Sequence, residues 1–282
     1  MCFQISTITN IRKSNVTRQR RCNPNNLRTL PVSSNTLFSF PIGLWNCQSA
    51  VNKADFITSF SSHSGLSLLA LTETWIRPED TVTPAALSTN FTFSHTPCLT
   101  GRGGGTGLLI SNDWKFDPLP PLFDNSSFES HSITITSPIK IHFVVVYRPP
   151  GQLGSLLEEL DVLLSSFPED GTPLVILGDF NIHLEKPQAA DFHTLLASFD
   201  LKRVSSVATH KSGNQLDLFY TRYCSTDNTL VTPLHTSDHF LLTLNLPQNT
   251  THTPPQVTFR RNLRSLSPSH LSSLGVMERC GI

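Results

Sequence analysis

Apolar residues along the middle of the chain recur at two spacings. In "LGSLLEELDVLLSSF" (153–167) they fall at Leu153, Leu156, Leu157, Leu160, Leu163, Leu164 and Phe167. That i, i+3, i+4 rhythm predicts an amphipathic helix. "VNKADFITSFSSH" (51–63) and "ADFHTLLASFD" (190–200) read as helices too. Elsewhere the apolar residues come in short runs bounded by polar turns, which predict strands. These are "IGLWN" (42–46), "LSLLALTE" (66–73), "TGLLIS" (106–111), "HSITIT" (131–136), "IHFVVVYRP" (141–149), "PLVILGD" (173–179), "NQLDLFYT" (214–221) and "HFLLTLNL" (239–246). Many strands with a few helices spread among them imply two sheets with helices outside, an α/β sandwich rather than a simple Rossmann sheet.

The flanks lack this patterning. Residues 1–38 are rich in Asn, Arg, Ser and Thr without apolar periodicity and read as a disordered leader. From Pro247 the chain runs "PQNTTHTPPQ" and then "RRNLRSLSPSHLSSL", so 248–282 reads as a linker and tail that could start a short helix. The packed domain is expected at 39–247, with no internal repeat. Charge follows the same division. Arg12, Lys13, Arg18, Arg20, Arg21 and Arg28 precede Phe40 with no acid among them, whereas 40–248 holds 11 Lys and Arg against 20 Asp and Glu. A body carrying about −9 is not built to grip nucleic acid by charge alone, and a phosphodiester there would need bound cations. The six cysteines are scattered without a CxxC pair, which argues against a zinc ribbon and suits a reducing compartment. No signal peptide and no membrane-spanning run is evident, so a soluble intracellular protein with no membrane partner is expected.

Several polar residues interrupt or end these runs. Asp179 and Asn181 in "LVILGDFNIH" (174–183) would share a side if the backbone stayed extended past Gly178. A structural turn is the plainer reading of the pair. Glu73 closes an apolar strand, either as an exposed strand-end acid or as a ligand for a hard cation such as Mg²⁺. Asp217 lies inside an apolar strand and needs a partner, for which His239 in "TSDHF" is a candidate. Asn46 ends the first strand. "GRGGGTGLLIS" (101–111) fits no phosphate-loop motif and precedes a strand, so it reads as a flexible turn that could line a cleft. "HLE" (183–185) lacks the PCxxC of zinc deaminases, and no HExxH occurs.

Taken in order, Asn46, "LTETW", "VVVYRPP", "GDFN", "LDLFY" and "SDH" resemble the exonuclease/endonuclease/phosphatase superfamily over about 42–246. "YRPP", "GDFNIH", "THKSGNQLDL" and "SDHF" are most similar to the endonuclease domain of non-LTR (LINE-type) retrotransposons, and "RRNLRSLSP" resembles the linker toward their reverse transcriptase. The resemblance implies a DNase I-like four-layer α/β sandwich, two mixed sheets face to face with helices outside. It implies Mg²⁺ as cofactor, with Mn²⁺ able to substitute, held by Glu73 with Asn46 organising the site and Asp238 assisting. Asp179 would position or activate a water, Asn181 would orient that water or the phosphate, and Tyr147 would contact the phosphate. His239, oriented by Asp217, would stabilise the phosphorane-like transition state, and Arg148, Ser237 and His210 would face the substrate. The implied activity is single-strand nicking of double-stranded DNA by a nuclear, monomeric enzyme, leaving a 3′-hydroxyl for target-primed reverse transcription. Gln48 departs from the apurinic endonucleases, which carry an acid there. The chain lacks a reverse-transcriptase signature, so the polymerase domain of a full-length element is expected to be absent, as in a fragment or truncated copy. An inositol-phosphate or lipid phosphatase of the same fold, or an unused remnant, are the alternatives.

Overall fold

The computed structural model describes residues 36–99, 103–121, 127–151, 153–227 and 229–250. The expected leader and tail lie outside the described residues, except for 36–38 and 248–250, which lengthen the first and last strands. The elements run β1 (Thr36–Asn46), α1 (Ala54–His63), β2 (Leu68–Thr72), α2 (Val82–Leu87), β3 (Phe91–Thr96), β4 (Thr106–Ser111), β5 (Lys115–Leu119), β6 (Glu129–Ser137), β7 (Ile141–Tyr147), α3 (Leu156–Ser165), β8 (Leu174–Asp179), α4 (Gln188–Ser198), β9 (Lys202–Arg203), β10 (Asp217–Arg222), β11 (Leu230–Thr232) and β12 (Leu241–Thr250). They form two mixed six-stranded sheets, ordered β11-β12-β1-β2-β4-β3 and β5-β6-β7-β8-β10-β9. Each sheet contains one parallel pair, β1 with β2 and β7 with β8. Parallel neighbours require a crossover, and α1 and α3 supply them.

Alternation along the strands builds three apolar layers. Val145, Leu177 and Phe219 face Leu44, Leu108 and Leu242 between the sheets. Their neighbours Val144, Val146, Ile176 and Tyr220 face the other way, onto Leu156, Leu160 and Leu164 of α3 and Phe192 and Leu196 of α4. Trp45, Leu69, Leu71 and Leu109 pack against Ala54 and Ile57 of α1 and Leu87 of α2. Strands covered on both faces read as continuous apolar runs, which is why "PLVILGD" shows no alternation. The result is the expected four-layer sandwich. The sequence did not predict α2, β3, β5, β9 or β11. Among the strands, β3, β5, β9 and β11 are sheet edges, where pairing on one side permits short, polar or proline-bearing segments such as "KFDPL".

Candidate active site

The two parallel pairs aim their carboxyl ends at one another. In the first sheet Asn46 stands opposite Thr72, and Glu73 follows at once. In the second, Tyr147, Asp179 and Asp217 form one transverse row across β7, β8 and β10, which Glu129 of β6 extends opposite Tyr147. The Asn46 side chain joins the sheets at these ends: its amide nitrogen donates to Glu73 Oε1 at 2.8 Å and to Asp179 Oδ2 at 2.9 Å. With its nitrogen between two carboxylates and its oxygen accepting the Gln48 N–H, Asn46 orders the Glu73 carboxylate rather than offering an oxygen of its own.

Asp217 finds the partner that its burial demands. Its Oδ2 lies 2.8 Å from His239 Nδ1, and both groups are buried. The other imidazole nitrogen lies 3.8 Å from Asp179 Oδ2 and 3.9 Å from Asp238 Oδ1. Burial disfavours the imidazolium, but the Asp217 hydrogen bond and the charges of Asp217, Asp179 and Asp238 outweigh it, raising His239 to about 9. Burial, with the Asp217 charge added, pushes the Asp179 carboxyl well above the usual range. Tyr147 moves up through burial first and then the negative charges of Glu73 and Asp179, so its phenol stays protonated and can donate. The hydroxyl of Thr209 accepts from the backbone N–H groups of Leu216 and Asp217, which fixes where β10 begins.

The backbone does not stay extended past Gly178. Asn181 adopts φ +48, and its N–H donates to Asp179 Oδ1 at 3.1 Å, so a turn capped by the aspartate brings the pair together. The turn itself thus holds the acid and the amide of "GDFN" together. Gly178 is required because a Cβ there would overlap the Val146 carbonyl of the neighbouring strand. The Asn181 amide hydrogens go to Arg148 O at 2.8 Å and Asp179 Oδ2 at 3.1 Å, leaving its side-chain oxygen as the group it can offer.

Two expectations change. Arg148 is 1% exposed and donates to the carbonyls of Phe180, Asn181 and Gly151, so it supports the turn instead of facing a ligand. Ser237 is also buried, and its hydroxyl donates to Asn46 O at 2.8 Å. Asp238 clusters with His210 (Nε2 to Oδ2, 3.4 Å) and His239, and reaches the Asn46 turn only through the Gln48 side chain, whose oxygen accepts the Asp238 N–H. Gln48 therefore tethers the Asn46 turn to Asp238. Lys53 adds to it, its ammonium donating to Gln48 O and Thr236 O.

Among the described residues, two groups of His and carboxylate side chains converge closely enough to hold a metal ion: His210, Asp238 and His239, and Asp179, Asp217 and His239. In the second, the 2.8 Å His–Asp bond already satisfies the ligand atoms against each other. Glu73 fits a hard cation better. Its carboxylate is half-buried and held by two N–H donors, Asn46 Nδ2 and Trp75 Nε1, the latter at 3.3 Å. Lone pairs remain for an ion that takes one or two carboxylates and keeps waters. Sequence reasoning missed Trp75 and Glu129, and it left the glycine turn unplaced. Gly103 lies beside Tyr147 Oη, Trp75 Nε1 and Glu73 Oε2, within van der Waals reach of a Cβ built there. An acid at the first residue of "ESHSITITS" was the signal available for Glu129.

Comparison with solved structures finds the same architecture in proteins of very different sequence. The endonuclease domain of TRAS1, a telomere-specific non-LTR retrotransposon, superposes with a TM-score of 0.59 at 14% identity, over 74% of this chain and 98% of that one. The AP endonuclease LMAP from Leishmania major gives 0.58 at 13%, over 74% and 88%. TDP2 from D. rerio, complexed with a single-strand DNA product, gives 0.55 at 14%, over 74% and 98%. No curated protein matches the sequence. No helix among the described residues is long and apolar enough to cross a membrane. The model of the Endonuclease/Exonuclease/phosphatase family matches residues 43–260, which include every polar side chain that the two sheets bring together, and the chain belongs to that family.

Proposed function

We propose that this chain is a divalent-metal-dependent DNA endonuclease, the nicking domain of a LINE-type element, acting on double-stranded DNA with Mg²⁺ as its ion. The observation that carries the reading is the bridge by Asn46 between Glu73 and Asp179, with the His239–Asp217 pair on the far side of Asp179. That arrangement suits attack by water on a phosphodiester, which needs an aligned nucleophile and stabilised charge on the phosphoryl oxygens.

Glu73 would hold the ion, oriented by Asn46 and Trp75; a bound Mg²⁺ supplies positive charge against the phosphate oxygens. Asp179 accepts a proton from the attacking water. The free acceptor of Asn181 suits orientation of that water, since a phosphate diester has no proton to give it. His239 as imidazolium donates to a phosphoryl oxygen, with Asp217 holding its ring and charge. Tyr147 donates from the other side. Water oxygen bonds to phosphorus as the bond from phosphorus to the 3′-oxygen breaks; that oxygen leaves with the electron pair and takes a proton from solvent water, while the proton held by Asp179 is released to solvent. The products are a 3′-hydroxyl and a 5′-phosphate.

Supercoiled plasmid is expected to be nicked with Mg²⁺, not with EDTA, and Asp179→Ala is expected to lower the rate by about 10²-fold or more. Equal nicking by wild type and Asp179→Ala would sink the assignment. Phosphate release from inositol phosphates without nicking would favour the phosphatase alternative.

A further inference from the structure

Trp75 is the one tryptophan of three that meets solvent broadly. It is 40% exposed, while Trp45 is 1% exposed and Trp114 packs edge-on against Phe40, ring centroids 4.2 Å apart. Its position is held from several directions. The indole N–H donates to Glu73 Oε2 at 3.3 Å, and its backbone N–H donates to Gly104 O at 2.9 Å. Thr74 N–H donates to Gly105 O at 3.1 Å. Both Glu73 and Trp75 sit at positive φ, +51 and +56, a conformation that bulky side chains rarely adopt without surrounding constraint.

The constraint is the glycine arch. Gly103, Gly104 and Gly105 all have positive φ, +92, +79 and +82, and the arch is latched at its far side by the Glu129 carboxylate, which accepts the Gly105 N–H. A Cβ at Gly104 would meet that carboxylate. The Cys98 thiol donates to Gly103 O at 2.6 Å. An aromatic ring is thus fixed by its nitrogen edge to the carboxylate that adjoins Asn46 and Asp179, yet 40% of its surface stays open to solvent. A solvent-facing indole has an apolar cost that packing does not relieve here, and a flat π-face beside a phosphodiester site matches a nucleobase.

We propose that Trp75 is a substrate-binding residue, a stacking platform for a base that unstacks from the duplex next to the scissile phosphate, and that the Glu129-latched arch positions it. This rests on the nuclease reading. The test compares Trp75→Phe with Trp75→Leu in the full chain. Both are apolar and lack the N–H to Glu73, so the comparison separates the aromatic ring from that hydrogen bond. In an Asp179→Ala background with Mg²⁺, a short DNA duplex is expected to quench tryptophan emission, and Trp75→Phe is expected to abolish the quenching. The Leu variant is expected to raise Kd, and KM for nicking when Asp179 is present, by about 5- to 100-fold, while Phe stays within about twofold. The kcat values of the two should agree. Equal Kd for Leu and Phe, or quenching that survives in Trp75→Phe, overturns the platform while plasmid nicking by the parent leaves the nuclease standing. A parent chain that neither binds the duplex nor nicks plasmid overturns both.

Discussion

Asp217 presents one oxygen to His239 and keeps the other, Oδ1, buried without a hydrogen-bond partner. A buried carboxylate oxygen left in that state is unfavourable, and it persists because the charge holds the imidazolium. Asp217→Asn preserves the volume and removes the charge. Under the proposed chemistry it is expected to lower kcat for nicking by about 10²- to 10⁴-fold with little change in KM, as initial rates would record. Gly178 and Asn181 show the same local economy: the residue before Asp179 admits a neighbouring carbonyl, and the second residue after it turns back to hold the carboxylate.

The helix α3 links β7 to β8 and thereby sets which residues of those strands stand side by side, Tyr147 and Asp179 included. Its first turn carries Glu158 and Glu159, favourable near a helix N-terminus, and Ser155 donates to Glu159 at 2.7 Å. Leu156, Leu160, Leu163 and Leu164 bury one face against Val144, Val146 and Ile176. Leu160 is 0% exposed, so Leu160→Ala removes packed volume and is expected to cost about 2–5 kcal/mol in urea unfolding. Because α3 touches none of the polar side chains of the site, nicking per folded molecule should stay within the assay error.

The two sheets meet at one edge through a neutral histidine. His131 of β6 contacts Ser94 Oγ through Nε2 at 2.7 Å and Thr96 Oγ1 through Nδ1 at 3.1 Å, both on β3. Thr96 donates its own hydroxyl hydrogen to Ser130 O, so it accepts from Nδ1–H, and Nε2 accepts from Ser94. Burial, then the nearby His95, lowers His131 to about 4. A histidine depressed on folding binds its proton better in the unfolded chain. Its contribution is therefore intact above the unfolded value of about 6.5 and is lost as pH falls toward 4. Wild type is expected to lose roughly 2–3 kcal/mol more than His131→Gln between pH 7 and pH 4, by urea midpoints at each pH. His95 and His142 shift in the same direction through burial and steepen the loss.

Much of this was legible in the chain. Strands buried on both faces must be apolar throughout, so polar residues at their ends, as Glu73 and Asp179, or inside an apolar run, as Asp217, stand out. The need of a buried Asp217 for a cation pointed to His239, because an uncompensated charge in a core is costly. Local pattern could not reveal that "YRPP" hides its arginine, since burial of Arg148 depends on carbonyls supplied 32 and 33 residues away. Nor could it place Trp75 or Glu129, whose partners come from a glycine turn and another strand. The sequence determined the elements, their apolar faces and the residues at their ends, because those follow from local spacing and burial. Strand register and sheet packing decided which ends meet: Asn46 and Asp179, 133 residues apart, touch only because two separate βαβ units point their carboxyl ends at a common cleft.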